Sequence, residues 1–157
     1  MRKTVLAFLA CALCAPVAFA VSGDDVATPV RQFIDAFNKG DTAAGFATYA
    51  QGEITIVDEF APHRWTGPNG AQEWAADYDK HAKATGVTDG LVKYGSPSRI
   101  EIDGDFAYLI LPTEYLYKEH GRAMQEKGQI TAVMHREAGG WKIRAWTWSG
   151  EKPHAAK

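Results

Sequence analysis

Residues Ile54 to Gly67 read ITIVDEFAPHRWTG. Four β-branched residues lead into two adjacent carboxylates, Asp58 and Glu59, and then into Pro62, His63, Arg64 and Trp65. β-branched side chains suit a pleated, half-buried surface, so residues 53–60 are expected to form a strand. Successive side chains of a strand point to opposite faces. Ile54, Ile56, Asp58 and Phe60 then share one face, and Thr55, Val57 and Glu59 the other. With the isoleucines and Phe60 turned inward, Asp58 is expected to point inward too, and Glu59 outward. A buried, isolated carboxylate is costly, so Asp58 needs a partner or an open cavity. It is either a structural acid paired with Arg64 or the acid of a pocket.

Upstream, Val26, Val30, Phe33, Ile34 and Phe37 recur at helical spacing and predict a helix over 24–39, with Ser22 and Asp25 imitating a capping box. The turn Asn38-Lys39-Gly40-Asp41 ends it, and a short helix to Tyr49 is expected next. Downstream, Pro68 and Asn69 open a third helix to about Thr85, with Ala71, Trp74, Ala75, Tyr78 and Ala82 on one face and Gly86 as its stop.

The rest reads as strands: 91–103, interrupted at Gly95-Ser96-Pro97, then 106–118, 125–137 and 141–148. Asp103-Gly104 and Gly139-Gly140 are hairpin signals. Helices grouped ahead of an antiparallel meander indicate one α+β domain, with helices on one face of a single sheet. By strand phase, Thr113, Tyr115 and Tyr117 share a face with Leu109 and Leu111, unless Pro112 marks a bulge. Thr131, Val133 and His135 share a face, which is expected to look inward, and Trp146 and Trp148 lie opposite Trp141, Ile143 and Ala145. The strand from Phe106 to Leu111 is apolar on both faces, which calls for a second packing partner, most simply another copy of the chain.

The first twenty residues read as an export leader: Arg2 and Lys3, an apolar run from Val5 to Val17, and the small-x-small site Ala18-Phe19-Ala20. The domain is then expected to span 21–150, followed by a disordered tail over 151–157, in a periplasmic or secreted protein with no membrane insertion after cleavage. Both cysteines, Cys11 and Cys14, leave with the leader, so the mature chain has no disulfide. Loss of Arg2 and Lys3 takes 17 basic residues to 15 against 19 acidic ones, a net charge of −4. That balance argues against nucleic acid as a partner. His63, His81, His120, His135 and His154 show no metal-binding spacing, and no nucleotide loop or hydrolase elbow is present. No cofactor and no metal are expected.

The segments RQFIDAFNKGD, ITIVDEF, TGPNGAQEW and GGWKIRAW, in this order of elements, resemble the nuclear transport factor 2-like superfamily. The likeness is strongest to small exported bacterial members of the SnoaL-like and ketosteroid isomerase-like kind. It implies a cone-shaped, cystatin-like α+β fold with three N-terminal helices packed on a curved, mostly antiparallel sheet. The resemblance also carries over one residue: ketosteroid isomerases hold a general base after a TVED-like run, and TIVD puts Asp58 there. Their two oxyanion donors are not carried over. Phe33 stands in place of the tyrosine of the first helix, and Thr131 or Ala132 in place of the aspartic acid of the penultimate strand. Without those donors, little isomerase activity is expected.

Two functional readings stand side by side. One is a binding module whose cavity takes a small apolar or aromatic molecule, lined by Trp65, Tyr78, Tyr115, Tyr117, His135, Trp146 and Trp148. The other is a cofactor-independent isomerase, dehydratase or cyclase with Asp58 as general base and His63 as a proton shuttle at the mouth.

Overall fold

A computed structural model describes residues 23–156 of the chain. The leader, both cysteines and Ser22 lie outside the described residues. Helix α1 runs Gly23–Lys39 and buries Val26, Ala27, Val30, Phe33 and Ile34 along one stripe. Gly40, at φ 67°, turns the chain, and the Asp41 carboxylate caps the one-turn helix α2, Thr42–Phe46, accepting the Ala44 N–H at 3.0 Å. The helix stops short of Tyr49 because the sheet claims the next backbone groups. Ala50 N–H donates to the Ile143 carbonyl at 2.9 Å and Ile143 N–H to the Thr48 carbonyl at 3.0 Å.

Strand β1 covers Ile54–Val57, and β2, Arg64–Gly67, folds back on it in register from Ile54 opposite Gly67 to Val57 opposite Arg64. The expected strand over 53–60 is therefore shorter, and a hairpin takes its second half. The reversal is closed by His63 N–H on the Phe60 carbonyl and Asp58 N–H on the His63 carbonyl. Helix α3, Gly70–Thr85, ends at Gly86 in the left-handed region.

Among the described residues six further strands complete the sheet: β3 Val87–Tyr94, β4 Arg99–Asp103, β5 Phe106–Glu119, β6 Arg122–Glu137, β7 Gly140–Gly150 and β8 His154–Ala155. The order is β2-β1-β7-β6-β5-β3, with β4 also on β5 and β8 on β6. Every pairing is antiparallel except β1 with β7. The tail expected to be disordered instead adds a short strand, His154 pairing Gln125 and Ala155 pairing Met124.

The helices cover the concave face, where Leu109, Leu111, Ile130, Ala132, Met134 and Ile143 are buried. Burying each of the larger aliphatic side chains stabilises the fold by roughly 1.5–3 kcal/mol. The phase of β5 runs unbroken through Pro112, so Thr113, Tyr115 and Tyr117 stay on the concave side with Leu109 and Leu111. Strand β7 behaves differently. Its register skips Arg144 between Ile143 and Ala145, a bulge that resets the alternation. Trp141, Ile143 and Trp146 are all buried as a result, correcting the expectation that Trp146 lies opposite the first two.

Candidate functional site

A cavity of about 360 Å³ opens between α1, α3, the β1–β2 turn and the concave sheet. Among the described residues its walls carry nine aromatic side chains: Phe33 and Phe37 from α1, Phe60 from the turn, Trp74 and Tyr78 from α3, Tyr115 and Tyr117 from β5, and Trp146 and Trp148 from β7. Strand and helix periodicity put them there. Trp74 and Tyr78 are one helical turn apart, and Tyr115 and Tyr117 are two apart on one strand face, their rings stacked at 4.7 Å. Trp148 lies over Gly128 and Gly150, where a methyl group would meet its ring at 2.8 and 3.0 Å.

Asp58 lines this cavity. One carboxylate oxygen accepts the Trp74 indole N–H at 2.8 Å and the other accepts the Glu59 backbone N–H at 2.8 Å. Burial raises its pKa from the ordinary value, against the lowering pull of those two donors. Arg64 is exposed, and no ion pair joins it to Asp58 among the described residues.

A second carboxyl group enters from β6. Glu126 is 1% exposed and accepts the Tyr117 hydroxyl at 2.7 Å. Glu59 reaches it from the turn. Its pKa rises to about 8, through burial first and then through the hydrogen bond and charge of Glu126, while the Trp148 indole opposes the rise. Glu59, expected to point outward, is exposed as expected, but the reversal after Val57 ends the strand alternation and leaves it at the open edge of the cavity wall.

On α3 and β5, the Tyr78 and Tyr115 hydroxyls are hydrogen-bonded at 2.6 Å. Burial raises the pKa of Tyr78, Tyr115 and Tyr117, so all three keep their protons and can donate. His81, Thr85, Val87, Glu119 and Pro153 complete the wall toward solvent. Among the described residues no group of three or more His, Cys, Asp or Glu side chains is arranged to hold a metal ion.

Of the residues singled out in the sequence, the cavity brings together Asp58, Tyr78, Tyr115, Tyr117, Trp146 and Trp148. Three lie elsewhere. Trp65 is buried against Phe60 and donates its indole N–H to Asp77 at 3.0 Å, behind the cavity wall. His63 sits exposed in the turn at φ 70°, its ring 3.2 Å from the Asp58 carbonyl oxygen. His135 lies on the convex face, its ring 4.8 Å from Phe106, because the buried phase of β6 is Ile130, Ala132 and Met134.

Glu126, Glu59 and Trp74 were not anticipated as site residues. Glu126 was legible: it continues that buried phase through Met124 and Gly128, so the alternation that points Asp58 inward points Glu126 inward as well.

Comparison with solved structures places the fold. A ketosteroid isomerase-like protein from Erwinia carotovora atroseptica superposes with a TM-score of 0.64 at 18% identity, over 85% of this chain and 100% of that one. A type 2 hexachlorocyclohexane dehydrochlorinase gives 0.68 at 12% identity, over 83% and 88%. A nuclear transport factor 2-like protein of unknown function from Shewanella oneidensis gives 0.56 at 21%, over 80% and 97%. No curated protein matches the sequence. The architecture is thus the α+β, nuclear transport factor 2-like one, with helices on a curved mixed sheet. Residues 26–150 match the model of the SnoaL-like domain, and the chain belongs to that family.

Proposed function

We propose that this protein, exported by its leader, binds a small, largely apolar or aromatic molecule in the Asp58 cavity. The observation that carries the reading is the cavity itself: about 360 Å³, walled by nine aromatic rings with a few convergent polar groups. Ligand sites of small molecules have this size and this balance. Trp74, Trp146 and Trp148 line the space, so occupancy should change intrinsic fluorescence. Titrating the mature chain with a panel of aromatic and alicyclic alcohols, ketones and amines is expected to give a saturable change. Val87→Phe, at the half-buried rim, is expected to weaken it. A flat response across the panel overturns the reading.

A second reading is supported by Asp58 sharing the cavity with the protonated tyrosine pair. In it, Asp58 removes a proton from the carbon next to a ligand carbonyl, and the Tyr78–Tyr115 pair donates a hydrogen bond to the resulting enolate oxygen. The pair would serve where Phe33 and Ala132 offer no donor. Incorporation of deuterium from heavy water into the α-carbon of a bound ketone tests it. Exchange that persists in Asp58→Asn removes Asp58 from the role of base, and no exchange with any bound ketone leaves binding alone.

A further inference from the structure

We infer that the preferred ligand is a protonated amine on an aromatic or alicyclic body, its ammonium group held at Glu59 and Glu126 beside the rings of Tyr115, Tyr117 and Trp148. The inference rests on the binding reading above and narrows it to a chemical class.

Three observations converge. Among the described residues, the cavity wall carries four acids, Asp58, Glu59, Glu119 and Glu126, and one imidazole, His81, but neither lysine nor arginine. An anion entering it meets no lysine or arginine among the described residues, while a cation meets carboxyl groups on the β1–β2 turn, β5 and β6.

The second is a pair of acids held together by one proton. Glu126 is 1% exposed, and its Oε1 takes the Tyr117 proton at 2.7 Å. Its Oε2 is fully buried, and beyond the Tyr117 hydroxyl the one proton offered to Glu126 among the described residues is the one the Glu59 carboxyl retains against it. Two acids sharing one proton are a weak arrangement for a buried carboxylate, and a charged N–H is a stronger donor than a neutral carboxylic acid. The third is the aromatic surround. Tyr115 and Tyr117 stack at 4.7 Å, and Trp148 borders Glu59. Ring faces attract ammonium groups, more strongly when water is excluded.

Without a ligand, Glu59 keeps a proton up to about pH 8. An arriving ammonium group takes that proton's place between the carboxyls, so binding at pH 7 releases protons and tightens as pH rises toward 8. The titratable groups facing this pair are Asp58 from the turn, Tyr115, Tyr117 and Glu119 from β5 and His81 from α3.

The test is isothermal titration of the mature chain at pH 7 with 2-phenylethylamine, its neutral counterpart 2-phenylethanol and the anion phenylacetate. The amine is expected to bind at least about ten-fold more tightly than the alcohol, a ratio that charge-assisted hydrogen bonds support. Phenylacetate is expected not to bind. The heat should vary with the ionisation enthalpy of the buffer, reporting the released proton. Glu126→Gln should erase the preference for the amine over 2-phenylethanol. Should that variant fail to fold, Glu59→Gln, at the more exposed end of the pair, gives the same readout. An alcohol that equals the amine, or a preference that survives removal of either carboxyl, overturns the cationic assignment and leaves the cavity reading standing. Silence from all three probes and from the aromatic panel overturns both.

Discussion

Glu59 makes the clearest case at the scale of single residues, because its titration has a sign that stability must follow. Its folded pKa of about 8 lies above the ordinary value of 4.5. A carboxyl whose pKa is raised on folding favours the folded state when protonated. Its contribution is therefore complete below about 4.5 and is lost progressively as pH climbs through about 8, with no further loss from this group above that. The melting temperature of the ligand-free protein is expected to fall across this window. Glu59→Gln, which keeps the shape and discards the charge, should flatten the curve, as differential scanning fluorimetry at a series of pH values would show. A wild-type curve that rises over the same window would contradict the packing of Glu59 against Glu126. Asp58 follows the same sign, since burial also raises its pKa. Its inward aim was legible from the alternation Ile54, Ile56, Asp58, but its indole partner was not. Trp74 lies sixteen positions away on another element and meets Asp58 only through the packing of α3 on the turn.

Elements explain which expectations held and which did not. Amphipathic stripes and hairpin signals identified α1, α3 and the long strands, because each is specified by its own periodicity. The misreadings cluster where the chain departs from a period. Arg64–Gly67 is too short to show alternation, so the hairpin that redirects Glu59 left no signal. The skip at Arg144 inverts the phase of β7 without any glycine or proline to mark it. Residues 154–155 become a strand only because β6 extends beyond β7 and leaves an edge for them. Gly128 is an element-scale feature whose purpose is visible only in three dimensions. An added Cβ would stand 2.6 Å from the Ser149 carbonyl oxygen and 2.8 Å from the Trp148 ring. Backbone cannot yield as a side-chain end can, so Gly128→Ala is expected to destabilise the protein by about 1–3 kcal/mol, typical of overpacking. It should also displace Trp148 and blue- or red-shift its emission. Chemical denaturation with an unchanged midpoint would show that β6 and β7 separate without cost.

Across the whole molecule, the two faces of the sheet are used differently. The concave face carries the core and the cavity. The convex face leaves Val57, Phe106, Tyr108 and Val133 at 41, 51, 36 and 38% exposure. Tyr108 pairs directly with Val133 across β5 and β6, and Phe106 pairs with His135 next along, so three of the four belong to one continuous patch. Arg99 extends over the Tyr108 ring at 5.5 Å and supplies a charged rim. An apolar centre with a polar edge is the composition of a protein interface, and a homodimer formed across a two-fold axis would pair this patch with itself. A stable association of that kind buries about 1,200–2,000 Å² in total, which strands β5 and β6 and their flanks have the length to provide. We propose that two copies join through this convex face, leaving both cavities open on the opposite side. Size-exclusion chromatography with light scattering is expected to report a dimer at micromolar concentration. Val133→Glu, which sets two carboxylates against each other across the axis, should convert it to a monomer without altering the fluorescence response of the cavity. A wild-type monomer under these conditions would sink the proposal, and a dimer indifferent to Val133→Glu would move the interface off this face.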